Sequence, residues 1–218
     1  MQNLEIAFLG KITASMTHEM KNALAIIQES SGLMSDLLTL GQKTPFPFQE
    51  KFAKVLAAID EQVRRGVEIS NRLNRFAHSM DVPQASVHLP ELLEQTAFLM
   101  QRFAHRNKLK ILPLPAEKDL VVETDPFRLQ LVLATIIEDL IEGLDPGGVI
   151  LLHSQAAELG PVVKVLAQGQ TKSAWTEFGK DSPLPEKFSP LLPLLHELGY
   201  SLTRSDKPGE QGYKLTFA

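Results

Sequence analysis

Apolar residues recur at steps of three and four from about Asn3 to Leu40. Phe8, Ile12, Met16, Met20, Ala23, Ile27, Met34 and Leu37 trace one stripe, and this spacing predicts a single long amphipathic helix. The stretch Gly41-Gln42-Lys43-Thr44-Pro45-Phe46-Pro47 breaks it with a glycine and two prolines. A second helix is predicted from about Phe48 to Ser79, with Phe52, Val55, Ile59, Val63, Val67 (or Gly66), Ser70, Leu73 and Phe76 as its inward set. Two long helices joined by a tight turn make a hairpin with one buried seam. Such a hairpin is too thin to hide its apolar face alone, so self-association into a dimeric four-helix bundle is expected.

The period changes after Pro83. Residues 81–87 read as a linker, which divides the chain into a helical hairpin (1–80) and a second domain (88–218). In that domain an amphipathic helix is predicted from Leu89 to about Arg106, with Pro90 tolerated in its first turn. Short strands follow at Lys110–Leu114 and Leu120–Thr124. Asp125-Pro126 supplies an N-cap and a first-turn proline for a helix to about Glu142. A turn at Asp145-Pro-Gly-Gly leads to a hairpin of Val149–Ser154 and Val162–Leu166, and residues 167–187 read as a long loop. A helix at Ser189–Leu198 and strands at Tyr200–Arg204 and Tyr213–Phe217 close the chain. The predicted class of this half is α+β, a mixed sheet covered on one face by helices.

Composition narrows the setting. With 44% hydrophobic and 22% charged residues, the 218-residue chain has the makeup of an ordinary globular protein. A net charge of −4 argues against a nucleic-acid surface. The absence of cysteine excludes disulfides, thiolate catalysis and cysteine-bound metals. The start lacks a basic leader and no apolar run is long enough to span a bilayer, so a soluble, cytoplasmic protein without membrane or nucleic-acid partners is expected.

The chemistry lies on the first helix, at His18-Glu19-Met20-Lys21-Asn22-Ala23-Leu24. A neutral imidazole is a nucleophile near neutral pH and carries a labile phosphoryl group on nitrogen. His18 and Asn22, four residues apart, share a helix face, and Glu19 and Asn22 are neighbours at a spacing of three. A lone helical histidine is more often an inert surface residue; the whole run is more specific. It resembles the H-box of bacterial histidine kinases, His-Glu-(Ile/Leu)-(Lys/Arg)-(Asn/Thr)-Pro-Leu, with Ala23 where proline is common. Alanine keeps the helix straighter.

The resemblance extends over nearly the whole chain. The second half is similar to the ATP-binding domain of histidine kinases, the Bergerat or GHKL type. Asp125-Pro-Phe-Arg-Leu-Gln-Leu-Val-Leu matches the start of that family's N-box, and Leu198-Gly-Tyr-Ser-Leu, Pro208-Gly209 and the last strand match its end. The family's nucleotide-binding residues fail to follow. Its magnesium- and phosphate-coordinating asparagines correspond to Thr135 and Asp139, and its adenine-reading aspartate to Ala167, ahead of Gly169. The glycine-rich lid is replaced by Leu184-Pro-Glu-Lys-Phe-Ser-Pro-Leu. The expectation is therefore a degenerate domain that uses neither ATP nor another cofactor, and no metal.

By the same resemblance, His18 accepts a phosphoryl group, Glu19 is its base or hydrogen-bond partner, and Asn22 positions water against the aspartyl phosphate of a docked receiver. The expected function is that of a phosphorelay histidine phosphotransferase, with a response-regulator receiver domain, a partner histidine kinase and a second copy of itself as partners. Two other readings stay open: a receiver phosphatase working through Asn22 and Glu19, and a divergent active kinase. A non-enzymatic dimerisation module is the remaining one. His78, His88, His105, His153 and His196 show no metal-ligand spacing. Arg64, Arg65, Arg72 and Arg75 read as solvated surface, with attraction to an acidic receiver pocket as the alternative, Lys21 as a solvated or partner contact, and Trp175 and Phe178 as local loop packing or a cover over the vacated nucleotide cleft.

Overall fold

The computed structural model describes residues 2–40, 49–116, 120–158, 160–172, 184–207 and 210–217. The turn at residues 41–47, the loop residues Trp175 and Phe178, and Pro208-Gly209 lie outside them. Two helices come first, α1 (Gln2–Leu40) and α2 (Gln49–His78). The α/β part then runs β1 (Ala85–His88), α3 (Leu89–Arg106), β2 (Lys110–Pro113), β3 (Val121–Thr124), α4 (Pro126–Gly143), β4 (Val149–Ala157) and β5 (Gly160–Gln168). A 3-10 turn over Glu186–Leu191 leads into α5 (Leu192–Glu197), β6 (Tyr200–Lys207) and β7 (Glu210–Phe217). The stretch expected as linker is thus partly strand, because Ala85–His88 pairs antiparallel with β3.

The chain divides into two compact units. One, Gly10–Arg75, is a helical hairpin. On α1 the sequence pattern holds: Ile12, Met16, Ala23 and Leu37 are buried. On α2 the seam is rotated from the expected one. Ile69 is buried where Ser70 was expected, and Gly66 is half-buried beside the Met20 sulfur, whereas Val63 and Val67 are 47% and 55% exposed. Both positions carry apolar residues, so α2 has two candidate stripes; the inner one is chosen by packing. The outer stripe, Leu56, Val63 and Val67 at steps of seven and four, matches exposed Leu24 and half-buried Met20 and Ile27 on α1.

The other unit joins residues 1–9 to residues 76–218. Its five-stranded sheet has the order β2-β4-β5-β7-β6, with β2 parallel to β4 and the remaining pairs antiparallel. This is the mixed sheet expected. Alternation puts Ile111, Ile150, Leu152, Val163, Val165, Tyr213 and Leu215 on one buried face. α3 and α4 supply the apolar layer opposite, and α4 is anchored by Asp125, whose carboxylate accepts the Arg128 backbone N–H at 2.9 Å. Gly212 has no alternative at its place in β7: a Cβ there would lie 2.1 Å from the Val165 carbonyl oxygen, at φ +154°.

The ends of the long helices belong to this unit. Phe8, Phe76 and Phe127 form an aromatic triangle with centroids 5.4–5.6 Å apart. Beside it, the Arg128 guanidinium bonds Glu5 at 3.0 Å and Glu197 at 2.8 Å. Phe76 is fully buried. Phe76→Ala is therefore expected to lower unfolding stability by roughly 3–5 kcal/mol in denaturant melts. Val82→Ala, at an exposed site, should stay within about 0.5 kcal/mol of wild type.

Candidate functional site

The hairpin presents His18 and Asn22 together on an exposed face of α1. Neither makes a hydrogen bond or ion pair with any described residue, so the imidazole is open to an incoming group. Glu19 is set apart. Adjacent helical residues do not face the same way, and its side chain, 16% exposed, turns toward α2, where Arg65 meets its carboxylate at 3.5 Å. The structure thus joins His18 to Asn22 and ties Glu19 to a residue that the sequence reading left as solvated surface. Arg64 and Arg72 instead pair along their own helix, with Asp60 at 2.9 Å and Glu68 at 3.6 Å.

Thr135 and Asp139, which the resemblance set against nucleotide-binding residues, are engaged by their own neighbours. Thr135 donates its hydroxyl to the Leu131 carbonyl at 3.0 Å, one turn back on α4. Asp139, almost fully buried, accepts the Tyr213 hydroxyl at 2.5 Å and faces the Lys187 ammonium at 2.5 Å. Lys187 also reaches Glu142 at 2.7 Å. Burial alone would weaken the lysine's hold on its proton, but the hydrogen bonds to Asp139 and Glu142 outweigh it, and its pKa stands above the ordinary lysine value. The Tyr213 hydroxyl is pushed up as well, by burial first and then by Asp139. Phe188 packs on the Tyr213 ring at 5.2 Å, so two consecutive residues of the 3-10 turn fasten that segment over α4 and β7.

Ala167 lies in the buried row of β5, and its methyl group has no hydrogen-bonding capacity for a base. Gly169 has a local reason to be glycine: at φ +133° a Cβ would lie 3.0 Å from the Gly148 Cα. A polar cleft of ≈ 550 Å³ opens there, and its described lining of Asp145, three glutamines, Thr171, Ala167 and Gly169 offers phosphates no lysine or arginine. Asp139 lies outside this described lining and is paired with Lys187, so a metal–ATP complex would have to displace that lysine to reach its carboxylate. Among the described residues no group of three or more His, Asp or Glu side chains is arranged to hold a metal. Nor is any helix long and apolar enough to cross a membrane.

Lys187 and Tyr213 were not singled out in the sequence. The signal was Asp139 itself, a carboxylate within the apolar run of α4 that needs a buried partner.

No family model matches the chain, and no curated protein matches it. Its similarities are to solved structures. Histidine kinase ThkA, in a complex with the response regulator protein TrrA, is 18% identical at a TM-score of 0.49, over 96% of this chain and 61% of that one. The histidine kinase AdeS of Acinetobacter baumannii is 14% identical at 0.48, over 92% of this chain and 97% of that one. A bacterial phosphotransferase is 12% identical at 0.44, over 96% of both chains. At these identities and scores the likeness leaves activity, nucleotide and partner open.

Proposed function

We propose that this protein is a phosphorelay histidine phosphotransferase that takes a phosphoryl group onto His18 from a phosphorylated receiver domain, or from a partner kinase, and passes it to another receiver. The observation that supports this reading is the Lys187–Asp139 ion pair, at a position that the resemblance sets against a magnesium-coordinating residue, together with the exposure of His18. A phosphoryl group on His18 then has to come from another protein. In the transfer, an imidazole nitrogen attacks the phosphorus of the receiver's acyl phosphate. The N–P bond forms, the P–O bond to the aspartyl group breaks, and the carboxylate leaves. Reversal toward a second receiver uses the same atoms.

The test is a chase. A receiver carrying labelled acyl phosphate, mixed with this protein, should place label first on the protein and then on an added second receiver. If the label appears only as inorganic phosphate and never on the protein, the phosphatase reading replaces this one; exposed Asn22 beside His18 is what favours it.

The functional species in this reading is a homodimer. The exposed stripe of Leu24, Leu56, Val63 and Val67 is the support, since a second hairpin laid on it completes a four-helix bundle. Val63→Asp/Val67→Asp should convert the dimer to a monomer in light scattering. A dimer that persists in the variant would place the interface elsewhere.

A further inference from the structure

We infer that Arg65 is a positioning residue for the phosphoryl-transfer site, acting through Glu19; the inference rests on the reading of His18 given above. Residues next to each other on a helix point about 100° apart, so Glu19 does not follow His18 into solvent. Its side chain is 16% exposed, held at the rim of the groove between the helices. A carboxylate so shielded holds one orientation when a cation partners it.

Among the described residues, Arg65 is the one cation paired with Glu19, reached across 46 residues of sequence. Arg64 and Arg72 have ion pairs with Asp60 and Glu68 along their own helix. The guanidinium fixes the Glu19 carboxylate one residue from the nucleophile. When the imidazole nitrogen bonds to phosphorus and the aspartyl carboxylate leaves, the ring's other N–H proton passes to the Glu19 carboxylate through an intervening water. Arg65 touches neither phosphorus nor imidazole in this scheme.

The experiment is a double-substitution cycle on the full chain, with a receiver carrying labelled acyl phosphate as donor and the rate of label uptake measured at saturating receiver. Arg65→Ala should lower that rate about tenfold, less than the roughly 10²–10⁴-fold of a lost general base because Glu19 itself remains. Arg65→Lys, which keeps the charge, should recover to within about twofold of wild type. In a Glu19→Gln background Arg65→Ala should change nothing further, because its effect passes through Glu19. Thermal melts of each variant establish that it is folded.

Multiplying effects of the two substitutions would overturn the inference, as would an Arg65→Ala effect confined to the half-saturating receiver concentration, the mark of a docking contact. An unchanged rate in Arg65→Ala would also overturn it. His18→Ala runs alongside: uptake that survives in that variant removes the parent reading and this inference with it, whereas uptake lost in His18→Ala but intact in Arg65→Ala removes the inference alone.

Discussion

His18→Ala should abolish uptake of label from a phosphorylated receiver, a loss of more than about a hundredfold against a wild-type reaction that depends on a nucleophile. Nothing else on that face can take over, because alanine offers no nitrogen and Asn22, its exposed neighbour, has an amide that is not nucleophilic. Asn22→Ala should leave uptake within a few-fold of wild type, since an amide that orients water is needed for hydrolysis and not for transfer. The pair of variants therefore separates the two chemistries on one surface. If Asn22→Ala blocks release of inorganic phosphate while His18→Ala leaves that release untouched, the face is a phosphatase site.

Lys187→Met should lower unfolding stability by roughly 1–3 kcal/mol, because it leaves buried Asp139 without its cation while the lysine itself is 37% exposed. Methionine keeps the length and apolar stem of the side chain, so the loss reports the charge. Asp139 would remain buried, with the Tyr213 hydroxyl at 2.5 Å as its remaining described partner. Adding Asp139→Asn should recover most of the loss, because the amide carries no charge to leave unpaired. The sign with pH follows from the raised proton affinity of Lys187. Its contribution is fully present below the ordinary lysine value of 10.5 and is lost as pH rises through the raised one. Urea melts of wild type should therefore weaken in strongly alkaline solution, and Lys187→Met should lack that share of the fall. A loss under about 1 kcal/mol at neutral pH would mean that the pair behaves as an exposed one.

The legible parts of the fold were those set by local periodicity and turn chemistry. α1 and α2 carry apolar steps of three and four over about eleven and about eight turns, and Asp125-Pro126 announces α4 through its cap. What escaped was decided by packing at a distance. Val63 and Val67 are as apolar as an inner seam requires, so the choice of Ile69 as an inward residue, and of Gly66 over the alternative Val67, depends on what α1 presents. Phe8 looked like one more residue of the hairpin stripe, yet its partner Phe127 lies at the start of α4. Ala85–His88 becomes a strand because β3 is there to pair with it.

The candidate site divides in the same way. His18 and Asn22 were legible because a spacing of four on a helix fixes a shared face. Arg65 and Lys187 were not, since each acts across a gap, of 46 residues to Glu19 and from a segment read as loop to Asp139. Asp139 was set by resemblance against a magnesium-coordinating asparagine, as a carboxylate still able to hold a metal through oxygen; its ion pair with Lys187 was not legible.

The most direct measurement compares two phosphoryl donors on the same purified full-length chain. Radiolabelled ATP with magnesium should leave the protein unlabelled, while a receiver carrying labelled acyl phosphate should label it on His18. Label on His18 from ATP alone would contradict the account.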